Sequence, residues 1–185
     1  MLRSSRKQKG LTLIELMVTV SIVGILLVFV APGMQTMLIK NRITGEINEL
    51  SGIIQFARNN AIDEQIETTV CPSEDFSVCT SNWNHAKIVY VDLDGNGNRG
   101  ATEELLVTTS PGSDINRLTG PANDIQFQPS GAANSVAALL LCHKNGENKY
   151  ARQLNISLQG RVKMSKDGDN NGIYEDTSGT PLNCS

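Results

Sequence analysis

Catalytic signatures are missing from this chain of 185 residues: it has no nucleophile elbow, no phosphate-binding loop and no histidine–acid–nucleophile pattern. The expectation is therefore a protein that is not an enzyme. Neither C-x-x-C nor H-x-x-x-H spacing occurs, so a zinc site built on His85 and His143 has no pattern behind it. No internal repeat, low-complexity tract or composition break marks a second domain, and the length suits one domain besides a terminal apolar segment. No aromatic residue interleaves with the basic residues around Arg161, which argues against stacking on the bases of a single strand.

What is present begins at the N-terminus. A basic leader (Arg3, Arg6, Lys7, Lys9) stops at Gly10, and the stretch from Leu11 to Ala31 is apolar but for Thr12, Glu15, Thr19, Ser21 and Gly24. As a helix that stretch is long enough to cross a bilayer core of roughly 30 Å. The basic side sets the leader inside. No small-residue A-x-A site follows the apolar run, as an ordinary secretory signal would require. A carboxylate within such a helix is costly unless it is paired, so Glu15 marks function. Four of the 16 basic residues belong to the leader, and without it 12 remain against 19 acidic ones. That balance disfavours a general polyanion binder while allowing a local basic patch.

The run Gly10-Leu11-Thr12-Leu13-Ile14-Glu15-Leu16 after a short basic leader resembles the processing signal of type IV pilins and type II secretion pseudopilins. The resemblance implies cleavage after Gly10 by a prepilin peptidase, methylation of the new amino terminus at Leu11, and pairing of Glu15 with a neighbouring subunit's terminal amine during assembly. The family usually has phenylalanine where Leu11 stands.

Beyond the apolar run, Met34, Leu38, Ile43, Ile47, Leu50, Ile54, Ala57 and Ala61 recur at mostly helical steps and predict one apolar stripe, with Lys40, Arg42, Glu46, Glu49 and Arg58 on the other face. Pro32-Gly33 predicts a kink between the halves. Strand-rich runs follow at 67–70, 87–91, 105–109, 125–128, 136–142, 154–158 and 161–164, between Gly, Pro, Asn and Asp clusters. One long helix followed by antiparallel strands is an α+β arrangement. The expected divisions are 1–10 leader, 11–31 transmembrane and filament-core helix, 32–62 amphipathic helix half, and 63–185 periplasmic β-rich domain.

Val70-Cys71-Pro72 with Cys79 and Trp83, the Ile88–Val91 run leading into Asp92-Leu93-Asp94-Gly95-Asn96-Gly97, then Leu141-Cys142, Arg152–Ser157, Gly160-Arg161-Val162-Lys163 and the late Cys184 resemble the GspH/FimT group of pseudopilins and minor pilins, closest to the pilus minor pilins FimT and FimU. The resemblance implies a pilin fold of long helix on antiparallel sheet, with major and minor pilins, an inner-membrane assembly platform and double-stranded DNA as partners. It also implies a minor pilin placed in the inner membrane and then at the pilus tip or cell surface, acting in pilus assembly and in DNA uptake for transformation. A GspH-like type II secretion pseudopilin is the alternative.

All four cysteines lie beyond the anchor, which suits an oxidising periplasm. Spacing suggests Cys71 with Cys79 and Cys142 with Cys184, although four cysteines allow three pairings. Asp92, Asp94, Asn96, Asn98 and Glu103 fall on the oxygen-ligand pattern of an EF-hand calcium loop, with Gly97 at the turn position. The flanks read as strands, so calcium site and polar hairpin turn both stand as readings. Asp167 to Gly172 echoes the pattern without an acidic twelfth position. Arg161 and Lys163 alternate along a strand and so share a face, with Lys149 and Arg152 on the preceding segment expected nearby. Resemblance to FimT implies phosphate contacts for this Gly-Arg-x-basic patch; the other reading is a solvated face paired with Asp167 or Glu175.

Overall fold

The structure is a computed structural model that describes residues 10–184, and the side chains of 29–32 are not described. The leader lies outside the described residues but for Gly10. The chain divides into two units, Met1–Leu38 and Ile39–Ser185.

Helix α1 runs from Leu13 to Glu64. It opens on a side-chain cap: Thr12 Oγ1 accepts from Glu15 N–H at 3.3 Å, three residues on. It closes on Gln65, a non-glycine residue in the left-handed region (φ 55°) whose amide donates to Ile62 O at 2.6 Å. No single described helix is long and apolar enough to cross a membrane; Leu13–Val28 and Gly33–Glu64 meet that test only as a bent pair. Helical backbone continues through Pro32 into the polar half.

The strands are β1 (Thr68–Ser73), β2 (Ala86–Val91), β3 (Leu105–Thr108), β4 (Asn116–Thr119), β5 (Ile125–Phe127), β6 (Ala137–His143), β7 (Arg152–Ile156) and β8 (Val162–Met164). They form two antiparallel four-stranded sheets, ordered β3-β2-β1-β5 and β4-β6-β7-β8. β4 was not among the runs read from the sequence, since Asn116-Arg117-Leu118-Thr119 carries one strongly apolar residue. It is a strand because it pairs with Thr119↔Leu140 through Asn116↔His143 along β6. β1 extends through Pro72, which the ladder tolerates because β5 pairs only with Thr68–Val70 and leaves the later positions unpaired on that side.

One core joins the outer half of α1 to both sheets: Ile43, Ile47, Leu50, Ile54, Ala57 and Ala61 meet Val70, Val89 and Phe127 from one sheet and Leu139, Leu154 and Ile156 from the other. Ile54 is fully buried, so truncation to alanine should cost about 2–5 kcal/mol. Met34 and Leu38, expected on the same stripe, are exposed. The stripe is covered only where sheet residues stand opposite it.

Candidate functional site

The Gly-Arg-x-basic segment lies at the β7–β8 hairpin. Gly160 N–H donates to Ser157 O at 2.8 Å and closes a tight turn, with Gly160 at φ 70°. Arg161 follows immediately, one residue before β8. Asn155 pairs with Lys163 and Ile156 with Val162. Partnered residues share a face and successive residues alternate, so Ile156 and Val162 go to the core while Asn155, Arg161 and Lys163 go to the opposite face.

There the two cations, Asn155, Ser157, Gln159 and Thr177 line an open pocket of about 290 Å³ with no carboxylate in its wall. Asn155 Nδ2 is buried without a hydrogen-bond partner, its Oδ1 being taken by Gln153 Nε2 at 2.7 Å. Arg161 and Lys163 are exposed, and neither forms an ion pair among the described residues. The carboxylates expected to neutralise them are engaged elsewhere: Asp167 accepts from the Asn171 and Gly172 N–H groups, and Glu175 from Gly168 N–H. Two free cations and an unpartnered amide donor make this pocket suited to an anion such as a phosphate diester.

Lys149 and Arg152 do not join it. Arg152 occupies the core-side parity of β7, three residues from Asn155 and therefore on the other face. It is 9% exposed, stacks 3.3 Å from the Tyr174 ring centroid, and donates to Ala151 O at 2.7 Å. Burial lowers its pKa, with the Tyr174 hydroxyl and Asp167 acting against that. Lys149 pairs with Glu147, which raises its pKa, and lies over the Tyr150 ring. Sequence proximity suggested a four-residue patch; strand alternation leaves two.

What holds the Arg161 turn in place had no sequence signal. Arg58 of α1 donates from Nε to Gly131 O at 3.0 Å, and Gly160 packs onto that same oxygen.

The Asp92–Glu103 loop joins β2 to β3 as a hairpin connection, with strands rather than helices on both sides. Carboxylate oxygens of Asp92, Asp94 and Glu103 nonetheless lie within 4.8 Å of one another. Asp92 and Glu103 are buried, at 2% and 5% exposure. Asp92 accepts from the Asn96 and Gly97 N–H groups and Glu103 from Leu93 and Gly100 N–H, which fixes the loop. Asn96 Oδ1 likewise accepts, from Asn98 N–H at 2.7 Å. Burial and then Asp92 raise the pKa of neighbouring Asp124. The second loop repeats these bonds from Asp167 to Gly172 and brings Glu175 close instead of a twelfth-position acid.

Disulfides join Cys71 to Cys79 and Cys142 to Cys184. The second ties the C-terminal tail to β6, and Arg117 of neighbouring β4 also donates to Cys184 O at 2.7 Å. Glu15 is exposed in the first turn of α1 and has no ion-pair partner among the described residues.

An N-terminal helix whose outer half packs on two antiparallel sheets, with an acidic residue in its apolar first turn, defines a type IV pilin fold. Residues 46–160 match the family described as type II transport protein GspH, residues 5–31 match the prokaryotic N-terminal methylation motif, and the chain belongs to the GspH family of type IV pilin-like proteins. The type IV minor pilin FimU of Pseudomonas aeruginosa is similar in fold: in one crystal form it is 17% identical, with 78% of this chain and 96% of that chain covered at a TM-score of 0.55. The second form gives 18% identity, 75% and 96% coverage and 0.50. The minor pseudopilin EpsH of Vibrio cholerae matches at 12% identity, covering 66% of this chain and 95% of that chain, with a TM-score of 0.48. No curated protein matches the chain.

Proposed function

We propose that this chain is a minor pilin of a type IV pilus, anchored in the inner membrane through the 11–31 segment after cleavage at Gly10, and then assembled at or near the pilus tip. Prepilin peptidase, the assembly platform and other pilins are its partners, and its work is assembly and binding rather than catalysis. Glu15 serves as the acidic partner for a neighbouring subunit's amine, and Arg161 with Lys163 takes up duplex DNA by its phosphates. The carboxylate-free pocket, with both cations unpaired and Asn155 Nδ2 unpartnered, supports the DNA reading. Binding of this kind is independent of sequence and sensitive to salt, because each phosphate contact releases counterions.

The test is a gel shift with duplexes of unrelated sequence across a salt series. The wild-type chain should bind weakly, and Arg161→Gln with Lys163→Gln should remove that binding and lower the salt slope by about 2. Equal binding by the double variant at low salt overturns the DNA role. The family match to GspH favours a second reading, a subunit of a type II secretion pseudopilus; a chain that binds no DNA and restores secretion rather than piliation would establish it.

A further inference from the structure

The anion pocket at the β7–β8 hairpin is a single point on the surface and not a track along it. Lys163 stands directly opposite Asn155 in the register, and Arg161 follows the turn on the diagonal, where long side chains still reach the same spot. Lys149 and Arg152, which would extend the cations along the sheet, do not take part: one pairs with Glu147 and the other is buried against Tyr174. Without the leader the chain carries 12 basic residues against 19 acidic ones. A long duplex laid across this surface is therefore attracted at the pocket and repelled by the net charge away from it.

Asn155 adds what the cations do not. Gln153 Nε2 donates to Asn155 Oδ1 at 2.7 Å and so fixes which end of the amide is left over. That end, Nδ2, is buried with no partner, an arrangement that is costly until an acceptor is supplied. Three donor groups thus meet in one pocket of about 290 Å³ whose wall holds no carboxylate.

The number and charge of these donors select the occupant. A phosphate diester within a strand offers two free oxygens and one negative charge. A phosphate monoester at a strand end offers three oxygens and, at pH 7, a charge of about −1.5 to −2. Three donors, two of them cationic, match the monoester on both counts. Stacking of a base is not part of the fit, since no aromatic side chain lines the pocket. We propose that this pocket takes the terminal phosphate of a DNA strand, with Arg161 and Lys163 balancing its charge and Asn155 Nδ2 donating to its third oxygen. The proposal rests on the reading of this pocket as the DNA site.

The test is competition on the purified full-length chain in detergent, in which a fluorescent duplex carrying 5′-phosphates is displaced by unlabelled DNA at equal nucleotide concentration. The same duplex with 5′-phosphates should compete about tenfold better than its 5′-hydroxyl form and than closed circular DNA, as one added hydrogen bond to a charged group implies. Asn155→Leu removes the donor at similar size and should abolish most of that preference. The salt slope for the hydroxyl form should stay at the wild-type value, because a neutral donor releases no counterion. Asn155→Ser, smaller and still polar, should lose the preference in the same way and serves if the leucine variant melts early. Equal competition by all three DNAs overturns the proposal and leaves binding through the strand backbone standing. A preference undiminished in both variants overturns the role of Asn155. Displacement by inorganic phosphate at the concentration of the duplex ends makes this a site for the free anion and overturns the proposal as well. Failure of the wild-type chain to bind any DNA overturns the DNA reading itself, and the end-phosphate site with it.

Discussion

The main-chain oxygen of Gly131 lies 2.0 Å from where a Cβ on Gly160 would stand. Arg58 Nε, which donates to that oxygen, would be 2.6 Å from the same Cβ. Two turns distant in sequence are thus seated against each other and against α1, and Arg161 leaves directly from that seat. Gly160→Ala must shift backbone and also hold alanine at positive φ. The expected cost is more than about 2 kcal/mol, read as a fall in melting temperature. Unchanged melting would mean that the turns separate freely.

Glu15 is the third residue of α1, with Thr12 as its cap. Glu15→Gln keeps the size and the capping geometry and removes the charge. It should leave cleavage after Gly10 intact and reduce the amount of the chain in sheared filaments. Normal incorporation would show that the carboxylate is not needed for assembly and serves only the helix terminus.

The Cys142–Cys184 disulfide closes a separation of 42 residues and the Cys71–Cys79 disulfide one of 8. On the chain-entropy account the longer loop stabilises by about 4 kcal/mol and the shorter by about 2.6 kcal/mol. Paired cysteine-to-serine variants should follow that order in denaturant unfolding. A reversed order would place the tail's hold on the sheet in its other bonds, Cys184 N–H to Asn148 Oδ1 and Arg117 to Cys184 O.

Asp92, Asp94 and Glu103 face one another with Asp124 near Asp92, and among the described residues no ion pair neutralises them. Calcium is expected to raise the melting temperature, because an ion bound only by the folded state stabilises it in proportion to the logarithm of its concentration. Asp94→Asn should weaken that response. Equal melting in millimolar calcium and in chelator would leave the loop a turn held by its own hydrogen bonds.

Burial lowers the Lys87 pKa below the usual 10.5. The folded chain then gives up this proton before the unfolded chain does. The penalty of the buried charge is fully present below the folded pKa and is relieved as pH rises toward 10.5. The gain in melting temperature from Lys87→Met should accordingly be largest at neutral pH and shrink at alkaline pH. A gain independent of pH would point to packing instead of charge.

Several features were legible in the sequence because they are local. The processing motif needs only consecutive residues, the outer half of α1 follows from apolar spacing between Ile43 and Ala61, and the hairpin after Val91 follows from its Asp, Asn and Gly content. The cysteine spacing likewise pointed to the pairs that the structure joins, although it left other pairings open.

Tertiary structure decided what depends on register and on residues far apart in the chain. Whether Arg152 stands beside Arg161 or behind it depends on which strand face each occupies, and one position along β7 reverses that. β4 becomes a strand only because β6 offers it a partner. Arg58 and Glu46 belong to the polar face of α1 by pattern, yet one seats the Gly131 and Gly160 turns and the other holds Asn116. Lys87 sits within an otherwise apolar strand, and its burial follows from the helix and loop that close over it. Hydrophobic periodicity records which residues can face a core; only the packed chain determines which of them do.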